Sequence, residues 1–301
     1  MTNHKIIDPH IHLFDLLQGD YQWLKNENPP FWPDKSLINK NFSEIDLTLN
    51  KPLELAGFVH IEAGFDNKHP WREITWLEAN CKLSFKSVAA IDLTLNQVEF
   101  TDQIEKLLNH HSVVGCRHIL DEQAVELLSQ QNVQINLALL AKKQLSFDLQ
   151  MPLTDIKAVK LICEIIAKTP TLRVVIDHAG WPPYIKNIQL GNAQSYHKTW
   201  QDWLSGLKAI SQFQQCAIKC SGWEMIDREF NSDWQRAVIE SCVSAFGDNR
   251  VMLASNFPLT LFNQSYDNLW DSYKRLGESL IRDKYPALTF ANAAYWYRLS
   301  I

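Results

Sequence analysis

No apolar run in the sequence approaches the roughly 20 residues that a membrane-crossing helix needs, so no bilayer span is expected. Nor is there a basic excess: 29 Lys and Arg stand against 34 Asp and Glu, a net charge of -5. That balance excludes the electrostatic footprint of a nucleic-acid surface. Six cysteines occur (Cys81, Cys116, Cys163, Cys216, Cys220 and Cys242), and none forms a CxxC pair, which removes the spacing of a zinc or thiol-redox motif. In apolar contexts they read as buried reduced thiols. Cys216 and Cys220 share one face of a predicted strand, but a metal site built from them alone would lack ligands. Met1 to Ile7 run directly into strand-like sequence without the apolar core of a signal peptide, so a cytoplasmic location is the expectation. No low-complexity linker interrupts the chain, and a single domain over residues 1–301 is expected.

Hydrophobic residues make up 46% and charged residues 21%, the composition of a globular protein with a sizeable core. Short β-rich runs alternate with longer helical stretches. Strands are predicted at Lys5 to Asp8, Gly57 to Glu62, Ser87 to Asp92, Val113 to His118, Leu145 to Gln150, Leu172 to His178, Gln215 to Ser221 and Val251 to Ser255. Most are continuous apolar runs, as parallel strands covered on both faces require. Between them fall helical stripes: Ile104, Leu107 and Leu108; Val159, Ile162, Cys163 and Ile166; Trp200, Trp203, Leu204 and Leu207; Trp234, Ala237, Val238 and Cys242; and Leu269, Trp270, Tyr273 and Leu276. Eight strands alternating with helices predict an α/β fold, a (β/α)₈ TIM barrel. Residues 15–50 form a long insertion after strand one, and residues 180–195 a second. Both leave from the C-terminal ends of strands, where barrel loops carry function.

The strongest local signal is Asp8-Pro9-His10-Ile11-His12 at the end of the first strand. Alternate residues of an extended chain share a face, so two imidazoles would point together. They could hold a divalent cation or an anionic substrate. Asp8 has the same parity and is expected to orient them. Other strand ends carry polar groups where a core strand would not: His60 and Glu62, Arg117 and His118, Asp177 and His178. Convergence of such groups is what a barrel active site needs, although each could instead cap a loop or pair with a neighbour. Most of the 11 tryptophans lie on helical stripes and read as core. Trp181 and Trp223, and with less weight Trp23 and Trp32, fall after strand ends and are candidates to line a substrate pocket.

Together with Gly115-Cys116-Arg117-His118, Phe147-Asp148-Leu149, Val175 to Gly180, Lys219-Cys220-Ser221-Gly222, Ser255-Asn256-Phe257-Pro258 and the terminal Asn292-Ala293 to Tyr297-Arg298-Leu299, these motifs run in a familiar order. Over essentially its whole length the chain resembles the amidohydrolase-2 family of the amidohydrolase superfamily, which includes sugar lactonases and pyrone-dicarboxylate lactonases. The resemblance implies a TIM-barrel hydrolase that opens a lactone or a small carboxylic ester. It implies that His10 and His12 mark the base of the site and that His178 polarises or anchors the substrate carbonyl. Arg117 would bind a substrate carboxylate, which a planar guanidinium can grip bidentately.

One position departs from the family. The usual Asp after strand eight, which activates the hydrolytic water, is Asn256 here. An amide accepts no proton at neutral pH, so the base would come from His12, His178, Asp177 or Glu62. A divalent cation, zinc by preference, could share the task if His10, His12 and His178 ligate it; relatives of the pyrone type work without one. Two alternatives stand beside the hydrolase: a metal-dependent decarboxylase, and a catalytically degenerate barrel that only binds its ligand. The expected partner is a small carboxylated or sugar-like molecule, with no nucleic acid and no membrane. A homo-oligomer is compatible with the sequence.

Overall fold

The computed structural model describes residues 4–184, 193–280 and 284–301. Eight strands form one sheet in sequential order: β1 (His4–Ile11), β2 (Leu53–Ile61), β3 (Ser84–Ala90), β4 (Val113–Arg117), β5 (Ser146–Leu149), β6 (Val174–Ile176), β7 (Cys216–Cys220) and β8 (Val251–Leu253). Helices alternate with them: α1 (Trp71–Asn80), α2 (Gln97–Leu108), α3 (Ala124–Ser129), α4 (Gln131–Lys142), α5 (Ile156–Lys168), α6 (Ala193–Ser211), α7 (Trp223–Ile226), α8 (Ser232–Phe246), α9 (Tyr266–Leu280) and α10 (Asn292–Trp296). Eight parallel strands in that order are the topology of a (β/α)₈ TIM barrel, as the alternation in the sequence predicts.

The chain divides into two compact units, residues 1–91 with 104–115 and 252–301, and residues 92–103 with 116–251. In the first, β1, β2 and β3 pair in parallel, with register shifts between Ile6 and Ile7 and between Asp8 and Ile11. The chain leaving β8 returns to β1: Ile11 bridges Phe257, the His12 N–H donates to the Phe257 carbonyl at 2.6 Å, and the Asn256 N–H donates to the His10 carbonyl at 2.9 Å. The long insertion is built of short 3₁₀ turns, Gln22–Leu24, Lys35–Leu37 and Glu44–Asp46. Its Tyr21, Trp23 and Phe42 pack ring to ring with Phe14 before it and Phe65 after β2. The Lys35 ammonium, buried within the insertion, donates to the carbonyls of Lys25 and Asn28 at 2.9 and 2.8 Å and ties that loop to itself.

In the second unit, β5, β6 and β7 pair in parallel, with Asp148 opposite Val175 and Val175 opposite Ala217. Side chains alternate with period two, so Asp148, Asp177 and Lys219 fall on one face of this three-stranded stretch. Helix α5 shows how the sequence builds the cover. Asp155 caps it by accepting the N–H groups of Lys157 and Ala158, both at 3.0 Å. Its apolar stripe of Ala158, Val159, Ile162, Ile165 and Ile166 is buried, and the helix stops at Lys168, two residues before Pro170.

Some expectations need correction. Leu108 is 38% exposed, off the buried stripe of α2, and Cys81 and Cys163 are only half-buried. Part of the second expected insertion, residues 185–192, lies outside the described residues. Among the described residues, no helix is long and apolar enough to cross a membrane.

Candidate active site

In the first unit, Asp8, His10, His12, His60, Glu62 and Asn256 are all buried. The His10 and His12 rings meet edge to face, centroids 5.0 Å apart. His12 Nδ1 lies 2.9 Å from the Ile61 carbonyl and 3.1 Å from the Glu62 carbonyl. Carbonyls only accept, so Nδ1 carries the proton and the neutral ring keeps its basic lone pair on Nε2. Asp8 acts on the backbone beside the imidazoles. Its Oδ1 accepts the backbone N–H groups of His10 and Ser255, at 3.2 and 3.1 Å, and so fastens β1 to the turn after β8. Burial drives the Asp8 pKa up to about 6, with the Ser255 and His10 hydrogen bonds pulling the other way.

His60 is a brace. Its Nδ1 accepts the Leu13 N–H at 3.3 Å, so Nε2 carries the proton and donates to Glu73 Oε1 at 3.0 Å. The same Glu73 oxygen accepts the Ala63 N–H at 3.0 Å. With both ring nitrogens committed, the expected substrate contact of His60 gives way to a structural one. Glu73, in the helix after β2, was not singled out in the sequence, because a glutamate in a helix's first turn ordinarily faces solvent. Asn256 sits in the left-handed region at φ 59, which short polar side chains tolerate. Its carbonyl accepts the Leu259 N–H at 2.8 Å.

The second unit holds a buried ion cluster. Lys219 Nζ lies 2.7 Å from Asp148 Oδ2 and 2.6 Å from Asp177 Oδ1, with all three side chains fully buried. Arg117 Nη1 lies 3.6 Å from Asp177 Oδ2 and donates to Gln150 Oε1 at 3.0 Å. Two carboxylates thus face two cations, the balance that makes buried charge tolerable. The next residue, His178, is pushed down to a pKa of about 3: burial dominates, Asp177 opposes, and the Arg117 and Lys219 cations add to the depression. Its imidazole is therefore neutral at physiological pH. Its Nδ1 pairs with Ser221 Oγ at 3.1 Å. His178, Ala179, Gly180 and Trp181 all have positive φ (52°, 51°, 65° and 53°), a left-handed turn that non-glycine residues enter only at a cost.

The remaining expected residues fall as follows. His118 is tied down beside the loop after β3: its Nδ1 accepts the Leu93 N–H at 3.0 Å, with Asp92 Oδ1 3.9 Å away. With Nδ1 accepting, the ring carries its proton on Nε2. Trp223 is corrected from pocket wall to core, since it is fully buried against Trp234 and Phe230. Trp181 stays half-buried over the His178 ring, centroids 4.7 Å apart. Trp23 donates its indole N–H to the Ala63 carbonyl at 2.7 Å, and Trp32 packs on Phe262. Lys219 and Asp148 were legible only as motif residues. The signal that could have found them is a charged residue inside an otherwise apolar strand.

Against known families, the sequence matches the profile described as Amidohydrolase over residues 7–299. The chain belongs to the amidohydrolase family. This family member is 27% identical to the uncharacterized protein y4mH of Sinorhizobium fredii, over 99% of this chain and all of the relative. An amidohydrolase from Burkholderia multivorans, crystallised with bound zinc, superposes with a TM-score of 0.78 at 19% identity, covering 98% of this chain and 99% of the other. A probable 2-pyrone-4,6-dicarboxylic acid hydrolase from Acinetobacter baumannii, with citric acid bound, superposes with a TM-score of 0.64 at 16% identity, over 97% and 99%. At such identities the two structures share the fold.

Among the described residues, no group of three or more His, Cys, Asp and Glu side chains is arranged to hold a metal ion. His10 and His12, two of the expected ligands, lie side by side in the first unit, and His178, the third, belongs to the second. Asn256 brings an amide where an anionic oxygen would be wanted.

Proposed function

We propose that this chain is a hydrolase that opens a lactone or small carboxylic ester of the sugar-acid or pyrone type. The observation that carries the reading is the setting of His178. A histidine whose pKa lies near 3 is a poor proton acceptor at pH 7, because its conjugate acid forms so reluctantly. As a neutral ring it remains a good N–H donor. In the tautomer whose Nδ1 accepts from the Ser221 hydroxyl, Nε2 carries the proton and suits a carbonyl oxygen that gains negative charge during attack. Arg117, fixed by Gln150, suits a carboxylate on the substrate.

The reaction balances simply. A water oxygen bonds to the carbonyl carbon, the bond from that carbon to the ring oxygen breaks, and the departing oxygen takes a proton. The acid product ionises and releases one proton. Within the first unit, His12 keeps Nε2 as its basic nitrogen, because its Nδ1–H is spent on carbonyls. The decarboxylase alternative differs in needing a bound metal, so metal analysis of the purified protein separates it from the hydrolase.

One observation favours a second reading. Asn256 cannot act as a base, and a barrel that kept its ligand contacts but lost the base would bind without turnover. A proton-release assay with a panel of sugar lactones and pyrone dicarboxylates separates the two. Hydrolysis by the wild type supports the hydrolase. Thermal stabilisation by a panel member without turnover, and turnover appearing in Asn256→Asp, supports the binder. No turnover and no stabilisation with any compound defeats both.

A further inference from the structure

The His178 ring has two unlike neighbours. One is the Trp181 indole, its centroid 4.7 Å away and its plane tilted by 33°. The other is the backbone of Gly222 beside Nδ1, which has φ +70 and no room for a side chain: a Cβ there would fall 2.5 Å from His178 Nδ1. Trp181 is itself held. Its indole N–H donates to Asp121 Oδ1 at 3.0 Å, and the other oxygen of Asp121 accepts from Gln150 Nε2 at 3.0 Å. Gln150 Oε1 in turn accepts from Arg117 at 3.0 Å, and the Gln150 carbonyl accepts the Asp121 N–H at 3.1 Å. A continuous chain of contacts therefore runs from Arg117 through Gln150, Asp121 and Trp181 to the face of His178.

Both ends of the Trp181–Asp121 bond sit in strained backbone. Trp181 has φ 53, and Asp121 has φ 35, again in the left-handed region for a residue with a side chain. Left-handed residues persist where their surroundings over-determine them. Here the two strained turns hold one another through a single bond to a half-buried carboxylate, and that same carboxylate reads the position of the arginine suited to the substrate carboxylate.

We propose that Asp121 and Gln150 are positioning residues for His178: through the Trp181 indole they fix the plane of the imidazole and couple it to Arg117. The substrate is taken from the hydrolase reading; the posture of the ring is a property of the folded protein and is measured without substrate. Gln150 gives this arrangement its direction. Its amide donates to Asp121 and accepts from Arg117, so an Arg117 side chain drawn toward a carboxylate pulls on the same relay that orients the imidazole.

The test uses full-length protein labelled with ¹⁵N in histidine rings, the His178 signals being assigned by their loss in His178→Gln. In the wild type the two ring nitrogens give the widely separated shifts of one tautomer. In Asp121→Ala and in Trp181→Phe they move together toward tautomer averaging, and Asp121→Asn, which keeps an oxygen for the indole N–H but turns an amide donor toward the Gln150 amide, falls between them and the wild type. On a hydrolysed lactone, Asp121→Ala and Trp181→Phe each lower kcat by roughly 10- to 100-fold with KM within about twofold, because a small misplacement of a reacting group costs rate rather than binding. The double variant loses no more than either single one, since both remove the same bond. Unchanged His178 shifts in Asp121→Ala, or losses that multiply in the double variant, overturn the proposal. If no lactone is turned over, the hydrolase reading fails, and the ring shifts alone decide the positioning role.

Discussion

In the first unit, His12 is fixed by main-chain oxygens at the end of β2; in the second, His178 is fixed by side chains that follow β4, β5, β6 and β7. The first arrangement depends on where the backbone runs and tolerates many side-chain changes. The second depends on particular residues and fails when one is removed. The electrostatics diverge in the same way. Asp8 is a buried carboxylate held by N–H dipoles, with its pKa raised to about 6, whereas His178 is a buried imidazole beside compensated charges, with its pKa lowered to about 3. The two groups therefore give stability opposite slopes with pH.

The largest expected effect is the acid limb of His178. The folded ring stays neutral while the unfolded one protonates near 6.5, so its contribution is complete above that pH and is lost as pH falls toward about 3. Over that window the loss is on the order of 5 kcal/mol. Urea unfolding at several pH values should show it in the wild type and not in His178→Gln. Next is Lys219→Met, which leaves the Asp148 and Asp177 carboxylates facing one another without their shared cation. A loss of roughly 3–5 kcal/mol is expected in urea unfolding at pH 7.

Asp8 reverses the sign. Its folded pKa lies above its unfolded value, so its contribution is complete below about 3.8 and is lost as pH rises through about 6. The stability difference between wild type and Asp8→Asn should change by about 3 kcal/mol across that window, in favour of the variant at higher pH. The smallest effect is Glu73→Leu, which strips acceptors from the His60 ring and the Ala63 N–H. It should cost roughly 1–3 kcal/mol, while Glu73→Gln, which keeps an oxygen, costs less.

The strands and most helical stripes were legible because their periods are local: a run such as Val174 to Ile176 is apolar whatever lies around it. The strand-end motifs were legible for the same reason, since His10 and His12, or Asp177 and His178, are neighbours in the chain. What escaped was pairing at long range. Nothing near Lys219 announces a carboxylate 71 positions away, yet the strand registers bring Asp148 to it. Trp223 and Trp181 both follow strand ends and read alike, but one is buried among Trp234 and Phe230 while the other is hydrogen-bonded over His178. His60 and His118 likewise read as site residues, because the backbone groups that claim their rings belong to Leu13 and Leu93, on other loops.

In the proposed reaction His178 is a neutral N–H donor rather than a base. The measurement that tests this most directly is the ¹⁵N shift of its ring nitrogens in the wild-type protein between pH 8 and the acid limit of the folded state. A neutral imidazole gives shifts that do not move through pH 6.5 and begin to change only as the pH approaches about 3, which is the expected result. A midpoint near 6.5 would contradict it and return His178 to the role of a proton acceptor.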